Sequence, residues 1–333
     1  MSLEHDDERA TVRAKRVRKG AAGSPPDSPM KLGGRAKKDA LKRTVKEFQA
    51  DNLTDWAAAL TYYGVMALFP ALIALVAVLG LIGASATQPL LDNLALVSPG
   101  PARDILTSTI QNLTENQGSA GIAFVIGLLV ALNAASGYIG AFTRASNSIY
   151  EVAEGRPIWK LKPFQLALTC VLLVLLVLTI GAVAISGPLA EEAGKLVGLG
   201  SSAVLVWDVA KIPVLLAIVA FMIAFLYWAA PNVKQPGFKF ITPGGVVALV
   251  LWVVASLLFA LYVATFASYD KTYGALGGAV VFLVWLWISN LAILFGAEFN
   301  AELQRSQQRE AGHDAPLDEP FLEPRDTSKL EKS

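Results

Sequence analysis

Asn133, Gly137, Gly140, Arg144, Asn147 and Glu151 are separated by four, three, four, three and four residues, the interval that returns an α-helix to the same face. A face of amides, a guanidinium and a carboxylate set between glycines can do one of two things. Glycines let a second helix approach closely in lipid, and an amide such as Asn133 can add an interhelical hydrogen bond worth about 0.6 kcal/mol. The same face can line a polar cleft in which Arg144 attracts an anionic head group and Asn133 bonds it deeper in. A second polar set, Ser289, Asn290, Gly296, Glu298 and Asn300, runs along the last apolar block. Asn290 falls at a depth comparable to Asn133, and Glu298 marks the inner end. The candidate cleft is therefore Asn133, Gly137, Gly140, Arg144, Asn147, Glu151, Asn290, Glu298 and Asn300.

Other chemistry has little material. Both histidines, His5 and His313, fall in the polar tails, and the lone cysteine, Cys170, sits in an apolar block where no intrachain bridge can form. No GxSxG, GxxxxGK[ST] or HExxH occurs, nor any spaced Cys/His set. Asp51, Asp55, Glu151, Glu154 and Glu298 are dispersed along the chain, although all are predicted near one membrane face, where a fold could gather them. No catalytic residue, metal ligand or cofactor is predicted.

The elements that must position these residues are membrane spans. Of 333 residues, 54% are hydrophobic and only 17% charged, with mean hydropathy +0.50, against about 25% charged in soluble domains. A span needs about 20 mainly apolar residues to cross about 30 Å of hydrocarbon. Six blocks qualify: Ala57–Gly83, Ala120–Phe142, Phe164–Ser186, Ile212–Ala230, Gly244–Phe266 and Ala275–Ala297, and none contains Asp, Glu, Lys or Arg. A charge at the bilayer centre costs about 2.5–3.5 kcal/mol and is kept mainly for function. Its absence weighs against a carrier with a core carboxylate and leaves coupling groups at the span ends. Pro70 predicts a kink in the first span, which is read as retained rather than cleaved as a signal peptide. Gly274 and Gly278 form a GxxxG, and Trp285 and Trp287 are read as packed in the bundle.

Of the 28 Lys/Arg, 24 lie before span 1, between spans 2 and 3, between 4 and 5, or after 6; only Arg103, Lys195, Lys211 and Lys271 fall on the other side. Basic residues stay cytoplasmic on insertion, so both termini are predicted cytoplasmic. The expected fold is all-α and polytopic, with three regions: a disordered basic tail over 1–40, a six-helix domain over 41–304 and a disordered tail over 305–333. Leu41, Val45 and Phe48, with Lys42, Arg43 and Lys46 between them, predict an interfacial helix leading into Trp56. Residues 88–116 and 188–207 are expected to form short helices that lie flat on the outer surface or cap the bundle, with partner docking as the alternative. Membrane lipids are the expected partners; the basic tail reads first as a solvated topogenic segment, with contact to anionic lipid as the functional alternative. No nucleic acid is expected, because no aromatic residue interleaves with the basic residues before Phe48. The oligomeric state is open.

The chain also carries a set of family motifs. They are Ala58-Ala59-Leu60-Thr61-Tyr62-Tyr63 with Leu68-Phe69-Pro70, Tyr227-Trp228-Ala229-Ala230-Pro231-Asn232, and Pro243-Gly244-Gly245 leading to Leu251-Trp252. Most specific are Tyr273-Gly274-Ala275-Leu276-Gly277, Leu283-Val284-Trp285-Leu286 and Gly296-Ala297-Glu298. Together, over Leu41 to Gln304, these resemble the YihY/BrkB family of bacterial inner-membrane proteins. The resemblance marks Pro70, Pro231, Asn232, Tyr273 and Gly274 as motif residues of structural weight. It implies six spans with both termini in the cytoplasm, a link to serum resistance and virulence, and for some members envelope lipid export. The family has also carried a ribonuclease label, which this sequence supports with no catalytic motif. The expectation is an inner-membrane protein that transports or translocates an envelope lipid or other small amphiphile. The alternative is a non-transporting envelope scaffold; a membrane-associated ribonuclease comes third.

Overall fold

The computed structural model describes residues 32–82, 117–184, 201–235, 237–265, 275–310, 316 and 319–331. The described residues form seven helices: α1 Gly34–Ala50, α2 Leu53–Ile82, α3 Gln117–Ile149, α4 Ile158–Ala184, α5 Ser201–Ala229, α6 Pro243–Thr265 and α7 Ala275–Glu310. Among the described residues no strand occurs, and one isolated antiparallel bridge joins Val233 to Pro324. In hydrocarbon a backbone group left without a partner has no water to turn to, so a chain this apolar must satisfy its hydrogen bonds within helices.

Among the described residues five helices are long and apolar enough to cross a membrane: the stretches Val125–Ile149, Ile158–Leu176, Val209–Ala229, Pro243–Val263 and Gly278–Glu310. The first predicted span, Ala57–Gly83, lies along α2, which is helical through Pro70 as far as Ile82. The surface caps predicted over 88–116 and the first part of 188–207 lie outside the described residues; residues 201–207 belong to α5. Tyr273 and Gly274 also lie outside them.

The chain divides into two compact units, residues 62–138 and residues 1–61 with 139–333. In the first, a Cβ on Gly137 would stand 2.8 Å from Cδ1 of Tyr63, so this glycine lets α3 lie close beside the ring. In the second unit, α6 and α7 make the closest approach. A Cβ on Gly244 would stand 2.2 Å from the Gly296 carbonyl oxygen, and one on Gly296 would stand 2.4 Å from the Gly244 oxygen. Small residues at such a crossing let two backbones touch. Two indoles then tie the helices together, Trp252 Nε1 donating to Ser289 Oγ at 3.1 Å and Trp285 Nε1 to Ser256 Oγ at 3.2 Å. Gly278 has nothing within 4 Å of a Cβ position, so the close crossing lies at Gly244 and Gly296 and not at Gly278.

Helix α1 is present, but its apolar stripe divides. Ala40 and Thr44 are buried, Ala36 and Ala40 pack with Leu303 and Phe299 of α7, and Phe48 lies 5.7 Å from Phe295. Leu41 and Val45 remain 45% and 56% exposed, the arrangement of a helix with protein on one side and an apolar surface on the other.

Helix α7 has 36 residues, about 54 Å at 1.5 Å per residue. That exceeds the hydrocarbon thickness, so its polar last turns stand beyond the apolar stretch ending at Ala297. Part of the tail expected to be disordered folds against its own unit. Phe321, Leu322 and Leu330 are buried, Lys234 N donates to Glu323 O at 2.8 Å, and Lys329 N donates to Gly155 O at 2.9 Å. Buried apolar side chains and paired backbone groups offset the ordering cost that its polar composition alone would not.

Candidate functional site

After Ala297, α7 continues with Glu298, Asn300, Glu302, Gln304, Arg305, Ser306 and Gln307, all buried. Such a run cannot be buried without partners, and α1, Tyr150 and the C-terminal tail supply them. Glu302 is held from both sides. Arg43 Nε donates to its Oε2, and Arg305 Nε lies 3.1 Å from Oε1. Arg43 also donates from Nη2 to Ser306 Oγ at 2.6 Å. Arg305 donates to Pro316 O at 2.8 Å, and its guanidinium lies 4.4 Å from the Phe321 ring centroid. Tyr150 stacks on the same ring at 5.6 Å and donates to Gln304 Oε1 at 3.2 Å.

Glu298 differs from Glu302. It is 1% exposed, and its Oε2 is buried with no hydrogen-bond partner. Asp51, Glu302, Glu47 and Arg305 face it. Asp51, in the two-residue joint between α1 and α2, accepts a hydrogen bond from Ser148 Oγ at 3.4 Å. Burial, reinforced by the charge of Glu47, pushes the Asp51 carboxyl up to about 6. Among the described residues no group of three or more His, Cys, Asp or Glu is placed to hold a metal.

The second network centres on Asn232. Its backbone N–H donates to Asn147 Oδ1 at 2.8 Å, and its Nδ2 donates to Ala153 O and Asp326 O at 3.1 and 2.9 Å. Its Oδ1 accepts from Asp326 N at 3.1 Å, and its carbonyl accepts from Arg325 N at 2.9 Å. Asn147 Nδ2 donates to Glu154, which also receives two bonds of 2.7 Å from the Arg156 guanidinium. Pro231 beside it is fully buried. Lys160 donates to Asp326 at 2.8 Å and, with two bonds from Ser328, holds that carboxyl down at about 2.

The six-residue stripe of α3 does not survive as one face. The helix ends at Ile149, and Glu151 lies past it with φ +53°, a left-handed conformation common just after a helix end. Gly140 leaves room for Gln165, whose Nε2 would lie 3.3 Å from a Cβ there, and Asn147 is locked to Asn232. These are packing and bracing roles. Asn133 is exposed. Asn290 is buried and donates to Thr61 Oγ1 at 3.1 Å. Arg144 is also exposed and stands with its guanidinium carbon 5.9 Å from the Trp56 ring centroid. Ser289, Gly296 and Asn300 all face α6. Arg43, Glu302 and Arg305 were not singled out from the sequence. Their polar run at the end of an apolar helix was the available signal, but it reads equally as a solvated helix end.

Comparison with known proteins gives a consistent result. The chain matches the family described as Virulence factor BrkB over residues 44–319. It is 28% identical over 252 residues to a ribonuclease-like protein, YfkH, of Bacillus subtilis (strain 168), covering 76% of this chain and 90% of that protein. It is 31% identical over 262 residues to a UPF0761 membrane protein of Alkalilimnicola ehrlichii, covering 78% of this chain but only 56% of that relative. A UPF0761 membrane protein of Alteromonas mediterranea is 26% identical over 279 residues, 82% of this chain and 90% of the relative. No solved structure matches the chain.

Proposed function

We propose, from the premise that the chain belongs to the Virulence factor BrkB family and is a multi-pass membrane protein, that it transports or translocates an envelope lipid or other small anionic amphiphile. The observation that carries this reading is the state of Arg144. Arg43, Arg156, Arg305 and Arg325 are each committed to carboxylates or backbone carbonyls of the protein. Arg144 is exposed and, among the described residues, makes no ion pair with a carboxylate. Its contact is the face of Trp56, a residue type that settles at the head-group level of a bilayer. A guanidinium held there keeps its planar fork of donors available for a phosphate. The stacking contributes only about 0.5–1 kcal/mol, enough to orient the group without occupying its donors.

The test uses purified full-length protein in liposomes with a quenchable fluorescent anionic phospholipid. The expected result is protein-dependent loss of inner-leaflet protection, reduced at least about tenfold by Arg144→Ala, the scale of one or two lost charge-assisted hydrogen bonds, and largely retained by Arg144→Lys. Full protection with correctly inserted wild-type protein would overturn lipid translocation and favour the scaffold reading. Translocation by Arg144→Ala at the wild-type rate would remove Arg144 from the path. RNA cleavage by the same preparation, lost on Glu298→Gln, would favour the activity named in the YfkH relative.

A further inference from the structure

We infer that Gln165 completes the site around Arg144, and that its ligand is a phosphodiester whose alcohol carries a hydrogen-bond donor. This rests on the reading of Arg144 as the head-group contact and names the chemistry which that reading leaves open. Gly140 marks the place. A Cβ built there would stand 3.6 Å from Arg144 Nη1, 3.3 Å from Gln165 Nε2 and 3.6 Å from Gln165 Oε1. The guanidinium of α3 and the amide of α4 therefore converge over a residue that has no side chain to separate them. Arg144 follows the apolar block that ends at Phe142, and Gln165 is the second residue of the block Phe164–Ser186. Both belong to the same membrane edge as Trp56, at the level of lipid head groups.

Gln165 supplies the second, separate observation. It is 3% exposed, and its Oε1 is buried with no hydrogen-bond partner among the described residues. The bond from Thr169 Oγ1, 2.7 Å long, goes to the backbone carbonyl of Gln165 and leaves the side-chain oxygen unused. An amide that served only to hold two helices together would give that oxygen a donor on the facing helix. Left unpaired, it carries a desolvation cost that an apolar side chain of similar size would not.

Arg144 offers only donors, and Gln165 Oε1 only accepts. A bare phosphate satisfies the guanidinium and leaves the amide oxygen as it was. A phosphodiester satisfies both when its alcohol bears a hydroxyl or an ammonium on the second carbon, as phosphoglycerol and phosphoethanolamine groups do. The phosphate oxygens then meet the fork of Arg144, and the O–H or N–H donates to Gln165 Oε1. Phosphocholine matches phosphoethanolamine in charge but has no N–H, and phosphoethanol matches phosphoglycerol in charge but has no hydroxyl. A site that pairs a buried polar group with a ligand donor rejects the analogue that lacks the donor, because the protein group is then left unpaired. The same phosphodiester occurs in a lipid head group and in a water-soluble glycerophosphodiester.

The test measures binding and not translocation, by native mass spectrometry of the full chain in detergent micelles with lipids of identical acyl chains. The wild type should retain phosphatidylglycerol over phosphatidylethanol, and phosphatidylethanolamine over phosphatidylcholine, each by about tenfold, the scale of one buried acceptor left unpaired. Gln165→Leu should abolish both preferences and leave phosphatidylethanol binding unchanged. Gln165→Met, closer in shape, is the second variant should the first fail to insert. Arg144→Ala should weaken phosphatidylglycerol and phosphatidylethanol alike, which separates the charge from the donor. Displacement of phosphatidylglycerol by glycerophosphoglycerol would support the proposal with a soluble ligand, and retention against it would support the proposal with a lipid. Equal binding within each pair, with both anionic lipids weakened by Arg144→Ala, overturns the proposal and leaves the Arg144 reading standing. Preferences that persist in both Gln165 variants also overturn it. Failure to bind either anionic lipid overturns both readings.

Discussion

Gly296→Ala should separate helices α6 and α7, and the structure fixes how much that costs. The added methyl would stand 2.4 Å from the Gly244 carbonyl oxygen, 2.6 Å from Ala248 Cβ and 2.7 Å from Tyr227 Oη. Two of these obstacles lie on α6 itself, one of them backbone, so no side-chain rotation relieves them. The helices must move apart by about 1 Å at the crossing to restore ordinary contact distances. Overpacking of this kind costs about 1–3 kcal/mol. The separation also strains the Tyr227 hydroxyl bond to Ile293 O and the two indole–serine bonds, each worth about 0.6 kcal/mol in a membrane. The expected loss is about 2–4 kcal/mol. Gly278→Ala on the same helix is the control, since nothing lies within 4 Å of its Cβ position; it should be neutral or stabilising by up to about 1 kcal/mol through helix propensity. Reversible unfolding in mixed detergent micelles measures both. If the two variants differ by less than about 0.5 kcal/mol, the close crossing of α6 and α7 is refuted.

Gly155→Ala would bring a methyl to 1.9 Å from the Asp326 carbonyl oxygen, so the C-terminal segment should lift off; proteolysis within 319–331 should quicken while the helices persist, and unchanged proteolysis would refute the contact. Asn232→Ala removes the three hydrogen bonds of its side chain and leaves buried backbone groups unpaired. It should destabilise the protein by about 2–4 kcal/mol and raise hydrogen exchange in both the 150–157 and 323–327 segments. A change confined to one segment would show that Asn232 does not bridge them.

Much of the fold follows from local sequence. Uncharged apolar blocks must become helices in lipid wherever they occur, because the requirement acts on each backbone group separately, and each of the six predicted spans falls largely on one of α2 to α7. The glycines at 137, 140, 244 and 296 share that logic in part: a small residue in an apolar helix announces a close neighbour, though not which one. The neighbour is a tertiary fact. Gly296 faces Gly244, whereas Gly278, an equally good candidate by spacing, faces open space. The interval of three and four residues placed Glu151 on the α3 face, yet the helix stops at Ile149 because the chain turns there to reach the Asn147–Asn232 lock. The polar end of α7 shows the limit most clearly. By sequence Glu298 is a candidate cleft residue, while Arg43 and Glu302 read as part of solvated helix ends, and Arg43 lies far from both along the chain. Only folding decides that Glu302 receives Arg43 from α1 as well as Arg305 from its own helix, while Glu298 makes no ion pair among the described residues, because burial and pairing depend on which distant groups arrive beside a residue.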